Sequence, residues 1–168
     1  MTTNKLRALV LQAMRLAISR MLEWHPNELI CGFALLTDDD LRTLGYAACT
    51  YEALGDDVGG SVRFEPVDWP YRDGQEIFDD ARSALVELAD SNPDRRDHVD
   101  KAFAVLVAAL EMAKAEGTLP HEAYCTPIST DPNEHLDELE DQAILRLNGP
   151  AVHKARRIAI GIDLPDHR

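Results

Sequence analysis

The sequence predicts an α+β fold, with a small antiparallel sheet of about three to five strands packed against about four to five helices. Three observations predict it. Apolar residues over 4–23 recur at the period of an amphipathic helix. Over 29–50 that period gives way to two short apolar runs, LICGFALLT and LRTLGYAACT, joined by Asp38-Asp39-Asp40. From Asp73 the helical period returns and persists, interrupted once by a short strand-like segment at Ala123 to Ser129.

In the first helix, Leu6, Leu9, Val10, Ala13, Met14, Ala17 and Met21 share a face, and His25-Pro26-Asn27 stops it because the residue before a proline disfavours the α region. Ile30 to Thr37 and Leu41 to Thr50 are the arms of a hairpin. In the second arm Leu44, Tyr46 and Ala48 fall on one face, and Thr43, Gly45 and Ala47 on the other. Gly55 to Gly60 reads as a flexible loop, and Val62 to Phe64 as a short extension. A second helix carries Ile77, Phe78, Ala81, Leu85, Val86 and Leu88, and ends at Ser91-Asn92-Pro93. A third carries Val99, Phe103, Leu106, Val107, Leu110 and Met112, with Gly117 as its C-terminal cap. It is the most apolar helix and is expected to be central. Pro127 marks the third strand as an edge or a bulge. Asp131-Pro132-Asn133 reads as a turn. A fourth helix carries Leu136, Leu139, Ala143, Ile144 and Leu147, stops at Asn148-Gly149-Pro150, and is followed by a last helix over Ala151 to Ile160 and a tail from Asp163. With no repeat, low-complexity segment or linker, residues 1–168 are expected to form one domain.

Composition bounds the function. No run approaches the roughly 18 apolar residues of a membrane span. Arg15 and Arg20 interrupt the apolar N-terminal stretch, and no small-residue cleavage site follows it, so a cytoplasmic chain is expected. Cys31, Cys49 and Cys125 are an odd set without C-x-x-C spacing, which reads as small buried apolar residues. Cys31 and Cys49 fall on the two hairpin arms and can lie near each other. Net charge is −13, concentrated over residues 37–100, where six basic residues face seventeen acidic ones. Such a field repels nucleic acid and lipid headgroups and speeds association with a basic protein; it is also what solubility alone would produce.

Candidate chemistry is sparse. Asp38 to Asp40 lack the alternating carboxylates and closing glutamate of an EF-hand and read as a solvated turn or a partner-facing tip. Glu134, Asp137, Glu138 and Asp141 share a helix face around His135, which suits either acid–base work or a solvated surface. None of the six histidines stands in a metal-binding pattern, and there is no nucleophile elbow, P-loop or dinucleotide fingerprint, so no catalytic residue, metal or cofactor is expected. Trp69 and Tyr71, beside the acidic segment Glu65 to Asp68, suit an interface, but packing of Phe64, Trp69 and Phe78 between the sheet and the second helix is the first reading of these aromatics. The densest basic group, Lys154, Arg156 and Arg157, is too small for a nucleic-acid footprint.

The strings G-F-A-L-L-T-D-D-D at Gly32 to Asp40, A-A-C-T at Ala47 to Thr50, R-F-E-P-V-D-W-P-Y at Arg63 to Tyr71 and E-I-F at Glu76 to Phe78 resemble a bacterial family numbered 4303 among the domains of unknown function. I-S-T-D at Ile128 to Asp131 and R-L-N-G-P at Arg146 to Pro150 are similar to it too. The resemblance implies proteins of toxin neighbourhoods, similar in context to immunity proteins, and it brings no catalytic residues. Together with the charge, it makes an acidic immunity protein the first expectation: one that occludes the basic site of a toxin, such as a nuclease. Asp38, Asp39, Asp40, Asp56, Asp57, Asp68, Glu134, Asp137, Glu138 and Asp141 would then be contacts, and Trp69 or Tyr71 anchors. The alternatives are a small enzyme with a carboxylate or histidine site, which requires a concave pocket where those groups converge, and a homo-oligomeric structural or regulatory protein.

Overall fold

The computed structural model describes residues 1–131 and 133–162. Pro132 in the expected turn and the expected tail from Asp163 lie outside the described residues. Helix α1 (Thr3–Trp24) opens on the side chain of Thr2, which accepts the Lys5 N–H, and buries Leu6, Val10, Met14, Ala17 and Met21 along one stripe. Strands β1 (Ile30–Thr37) and β2 (Gly45–Thr50) pair antiparallel, with Phe33 opposite Ala48 and Leu35 opposite Tyr46. The register slips between Ile30 and Gly32, which sets Cys31 in a bulge. The second arm starts later than its alternation suggests. Leu41 takes a left-handed φ of 49°, and the Asp38 carboxylate accepts the N–H groups of Arg42 and Thr43 at 2.8 and 3.3 Å, so residues 38–44 form a capped turn.

Helix α2 (Tyr51–Leu54) follows directly, capped by the Thr50 hydroxyl. The expected flexible loop and short extension are instead a chain of 3-10 turns at Gly55–Gly59, Ser61–Phe64 and Pro66–Asp68, with a further one at Gln75–Phe78. Helix α3 (Asp79–Asp90) is therefore shorter at its start than its apolar period implies. Helix α4 (Arg95–Ala115) is capped by Asp94 and packs on α1 and on strand β3 (Tyr124–Ser129), the central position its apolar sequence predicts.

The α+β class holds, and among the described residues there are three strands and five helices. The sheet is mixed, not antiparallel. β3 lies beside β1 and parallel to it, in the order β2-β1-β3. The physical reason is the helical excursion between β2 and β3, which frees the last strand from the direction a tight hairpin imposes. β3 is an edge strand, as Pro127 requires.

Helix α5 (Glu134–Ala159) is continuous in sequence but broken at Gly149, whose φ of 78° and ψ of 169° turn the chain back, with Pro150 opening the second limb. Asp141 lies against His153 and Ile162 borders the same cleft as Glu134, so the two limbs form a helical hairpin.

Both sheet faces are covered. One face presents Phe33, Leu35, Tyr46 and Ala48 to α1, α3 and α4, with Phe33, Tyr46 and Phe78 stacked at 5.5 and 5.7 Å. The other presents Ala34, Ala47, Cys31, Cys49 and Tyr124 to Phe64, Trp69 and Ile144. Phe64 and Trp69 thus pack on the face opposite Phe78, where α3 does not reach, and the expected single aromatic cluster is split by the sheet.

Both sheet edges are closed. At β2, Tyr71 exchanges backbone hydrogen bonds with Ala48 (2.8 and 3.2 Å), and the Gln75 amide bonds both the N–H and the C=O of Tyr46, each at 3.0 Å. At β3, the Asn148 amide does the same at Cys125, at 2.7 and 2.8 Å. Side-chain amides reproduce the donor–acceptor pair of a missing strand and leave little edge for another chain.

Candidate partner-binding surface

The acidic residues singled out in the sequence fall into three groups with different surroundings. The tip is the first. Asp38 is committed to its own turn, and Asp39 accepts Arg95 Nη2 at 2.6 Å while Asp40 accepts Arg95 Nε. The Asp40 carbonyl pairs with Nε2 of the buried His98 at 2.9 Å. Half-buried, with Asp39 and Asp40 sharing one arginine, the tip fastens the hairpin to the start of α4.

The second group lies on the first limb of α5. Glu134, Asp137 and Glu138 are exposed and carry no ion pair among the described residues. Asp141 is held by the returning limb, with His153 Nε2 at 2.9 Å and the guanidinium groups of Arg157 and Arg156 at 3.6 and 3.7 Å. Between the limbs is a cleft of about 600 Å³, lined by these carboxylates together with Glu140, Arg156 and Arg157. Glu140 is buried and accepts the Ser129 N–H at 2.5 Å. Burial pushes its carboxyl up to about 7, and nearby Asp137 adds to the rise. The convergence of carboxylates on a concave site is therefore present here, around Glu140, which the sequence reading did not single out.

The third group surrounds the opposite end of the sheet, where β1 begins and β2 ends. Asp56, Asp57 and Asp68 are exposed and have no ion pair or side-chain hydrogen bond among the described residues. Trp69 is no anchor. It is 1 % exposed, donates its indole N–H to the Val62 carbonyl at 3.0 Å, and lies over Gly32 so closely that a Cβ there would stand 2.6 Å from the ring. It is the core residue that the packing reading expected, and its exposed neighbours are Val67 and Asp68. Tyr71 is half-buried. Besides closing the β2 edge it donates its hydroxyl to Glu28 at 2.5 Å, and its ring lies 4.5 Å from His25. Glu28 also accepts the Thr50 hydroxyl at 2.6 Å and faces His25 Nδ1 at 3.2 Å. Those bonds, from Thr50 first and then Tyr71, hold its carboxyl below the usual range.

Beside this knot, Trp24 and Leu29 stand 61 % and 65 % exposed. The two flank the turn from His25 to Glu28. The Leu29 N–H is bound by Glu52 at 2.8 Å, and its carbonyl accepts the Tyr51 N–H at 2.9 Å, so Leu29 borders α2, which leads into the segment that carries Asp56 and Asp57. Sequence reading missed Trp24. The available signal was its place as the last residue of α1, directly before His25-Pro26, past the buried stripe that ends at Met21.

With this geometry in hand, the chain can be placed. The model of the domain of unknown function DUF4303 matches residues 10–149. The chain belongs to the DUF4303 family. No curated protein and no solved structure matches it. The DUF4303 match spans the sheet, Trp24, Leu29 and all the singled-out carboxylates, and ends at the Gly149 turn, so the second limb with His153, Arg156 and Arg157 lies beyond it. No helix among the described residues is long and apolar enough to cross a membrane.

Proposed function

We propose that this DUF4303 protein is an acidic, cytoplasmic immunity-type protein that binds a cognate toxin and occludes its basic site. The observation that supports the reading is the exposed pair Trp24 and Leu29 flanking the His25–Glu28 turn, with Leu29 bound to Glu52 at the start of the excursion that carries the exposed Asp56, Asp57 and Asp68. Exposed aromatic and apolar area together with exposed carboxylates that lack internal counter-charges suits a basic partner: the aromatic supplies desolvated contact and the carboxylates supply steering. A cation of the partner can also rest on the indole face.

The test is capture of partners by the full chain from its native cytoplasm, together with the product of the adjacent gene, at low and high salt. Wild type is expected to retain one basic protein that is lost as salt rises, while Trp24→Ala and the pair Asp56→Asn, Asp57→Asn retain less than a tenth as much. Equal retention by these variants, or no basic protein at all, overturns the proposal.

A second reading, a small enzyme working through a carboxylate, is favoured by one observation, the cleft around Glu140 between the limbs of α5. A carboxyl titrating near neutrality inside a concave site is what general acid–base work requires.

A further inference from the structure

Cys31 and Cys49 are fully buried on adjacent strands, with their Sγ atoms 3.3 Å apart. The slip in register at Ile30/Gly32 produces this approach, because it turns the Cys31 side chain toward the residue that pairs with Gly32. Two packed apolar residues would not share a hydrogen bond; these do. Arg63 adds a positive charge to the site, and its Nε is buried without a partner.

We propose that Cys31 and Cys49 are an oxidation site that closes to an intramolecular disulfide with hydrogen peroxide as the oxidant. The covalent bond requires the sulfurs to close by roughly 1.2 Å, within reach of small side-chain rotations. The roles of the two thiols differ. Either sulfur can donate the shared hydrogen bond. With Cys49 donating, that bond and, after it, the Arg63 charge favour the Cys31 thiolate against the opposing cost of burial, and Cys49 is held as the thiol. The Cys31 thiolate attacks one peroxide oxygen, so that an S–O bond forms, the O–O bond breaks and hydroxide leaves as water with the proton Cys31 gave up. Cys49 then attacks the sulfenic sulfur; the S–S bond forms, the S–O bond breaks and a second water leaves with the Cys49 proton. Two electrons pass from the thiols to one peroxide. Access comes through the cover, which is made of the short 3-10 turns carrying Arg63 and Trp69 and opens more cheaply than a long helix or the sheet. Cys125 faces the opposite core and takes no part.

The folded chain is treated with hydrogen peroxide, then denatured, labelled with maleimide and weighed intact. Untreated protein carries three free cysteines and takes three labels. Treated protein is expected to take one, at Cys125, with a mass lower by about two hydrogens before labelling and three labels restored by dithiothreitol. Cys125→Ser is expected to fall from two labels to none. Three labels after treatment of folded protein, or a loss of labels that persists in Cys31→Ser, overturns the proposal.

Discussion

At the scale of single residues, chemistry depends on what a side chain touches, and sequence patterns report that only indirectly. Trp69 and Trp24 show both sides of this. Trp69 has carboxylate neighbours in sequence but is sealed over Gly32, while Trp24, at a helix terminus, is the exposed one. The period that identifies α1 placed Met21 inside and carried no information about Trp24 beyond it. Glu140 was equally hidden among glutamates that look alike; it is the buried one, turned against β3, where it accepts the Ser129 N–H. That burial has a pH signature. The folded carboxyl sits at about 7, raised from an ordinary 4.5. Below about pH 4.5 both states hold the proton and its stabilising contribution is whole. As pH rises toward 7 the unfolded chain loses the proton first and stability falls, until the contribution is gone above about pH 7. Glu140→Gln keeps the acceptor for Ser129 and removes the titration. Wild type is expected to lose on the order of 3 kcal/mol relative to this variant between about pH 4.5 and pH 8, read from urea midpoints. Parallel curves for the two proteins would mean that Glu140 is solvated.

At the scale of elements, periodicity located the helices and both hairpin arms, since burial of one face is what creates the period. It could not supply strand direction. A two-residue alternation looks the same in parallel and antiparallel pairs, so β3 was identified while its pairing with β1 was not. Nor could it identify the amide fasteners at the sheet edges. Asn148-Gly149-Pro150 was read as a helix stop, which it is, but the same Asn148 holds Cys125 through both backbone groups and the Ile144 carbonyl at 3.0 Å. Asn148→Ala leaves the buried backbone of Cys125 unpaired and is expected to destabilise by about 2–3 kcal/mol in chemical denaturation. On the other edge, a Cβ at Gly45 would stand 2.3 Å from Gln75 Oε1. Gly45→Ala is expected to cost roughly 1–3 kcal/mol in wild type and clearly less when Gln75 is already alanine, since the obstructing atom is then absent. Additive costs in that double-mutant cycle would place the strain elsewhere.

At the scale of the whole molecule, net charge reports less than the placement of counter-charges. The sequence puts the acidic excess over residues 37–100 without showing that its members differ. Asp39 and Asp40 share Arg95, and Asp141 lies among His153, Arg156 and Arg157, whereas Asp56, Asp57 and Asp68 have no ion pair among the described residues. Against a net −13, an unpaired surface carboxylate adds repulsion to the folded state, and a paired one does so much less. Reversing the two sets should therefore have opposite effects on stability, whatever partner the protein binds. Asp56→Lys with Asp57→Lys lowers self-repulsion and is expected to raise the melting temperature at low ionic strength, by an amount that shrinks as salt shortens the screening length to about 10 Å at 0.1 M. Asp39→Lys with Asp40→Lys places like charges against Arg95 and loosens the hairpin tip from α4, so its melting temperature is expected to fall. The same contrast carries into binding. Reversal at 56 and 57 is expected to slow association with a basic partner at least tenfold at low salt, and reversal at 39 and 40 to leave the rate within about twofold of wild type. Equal slowing by both would make the steering field a property of total charge, and the end of the sheet around Trp24 would lose its special claim.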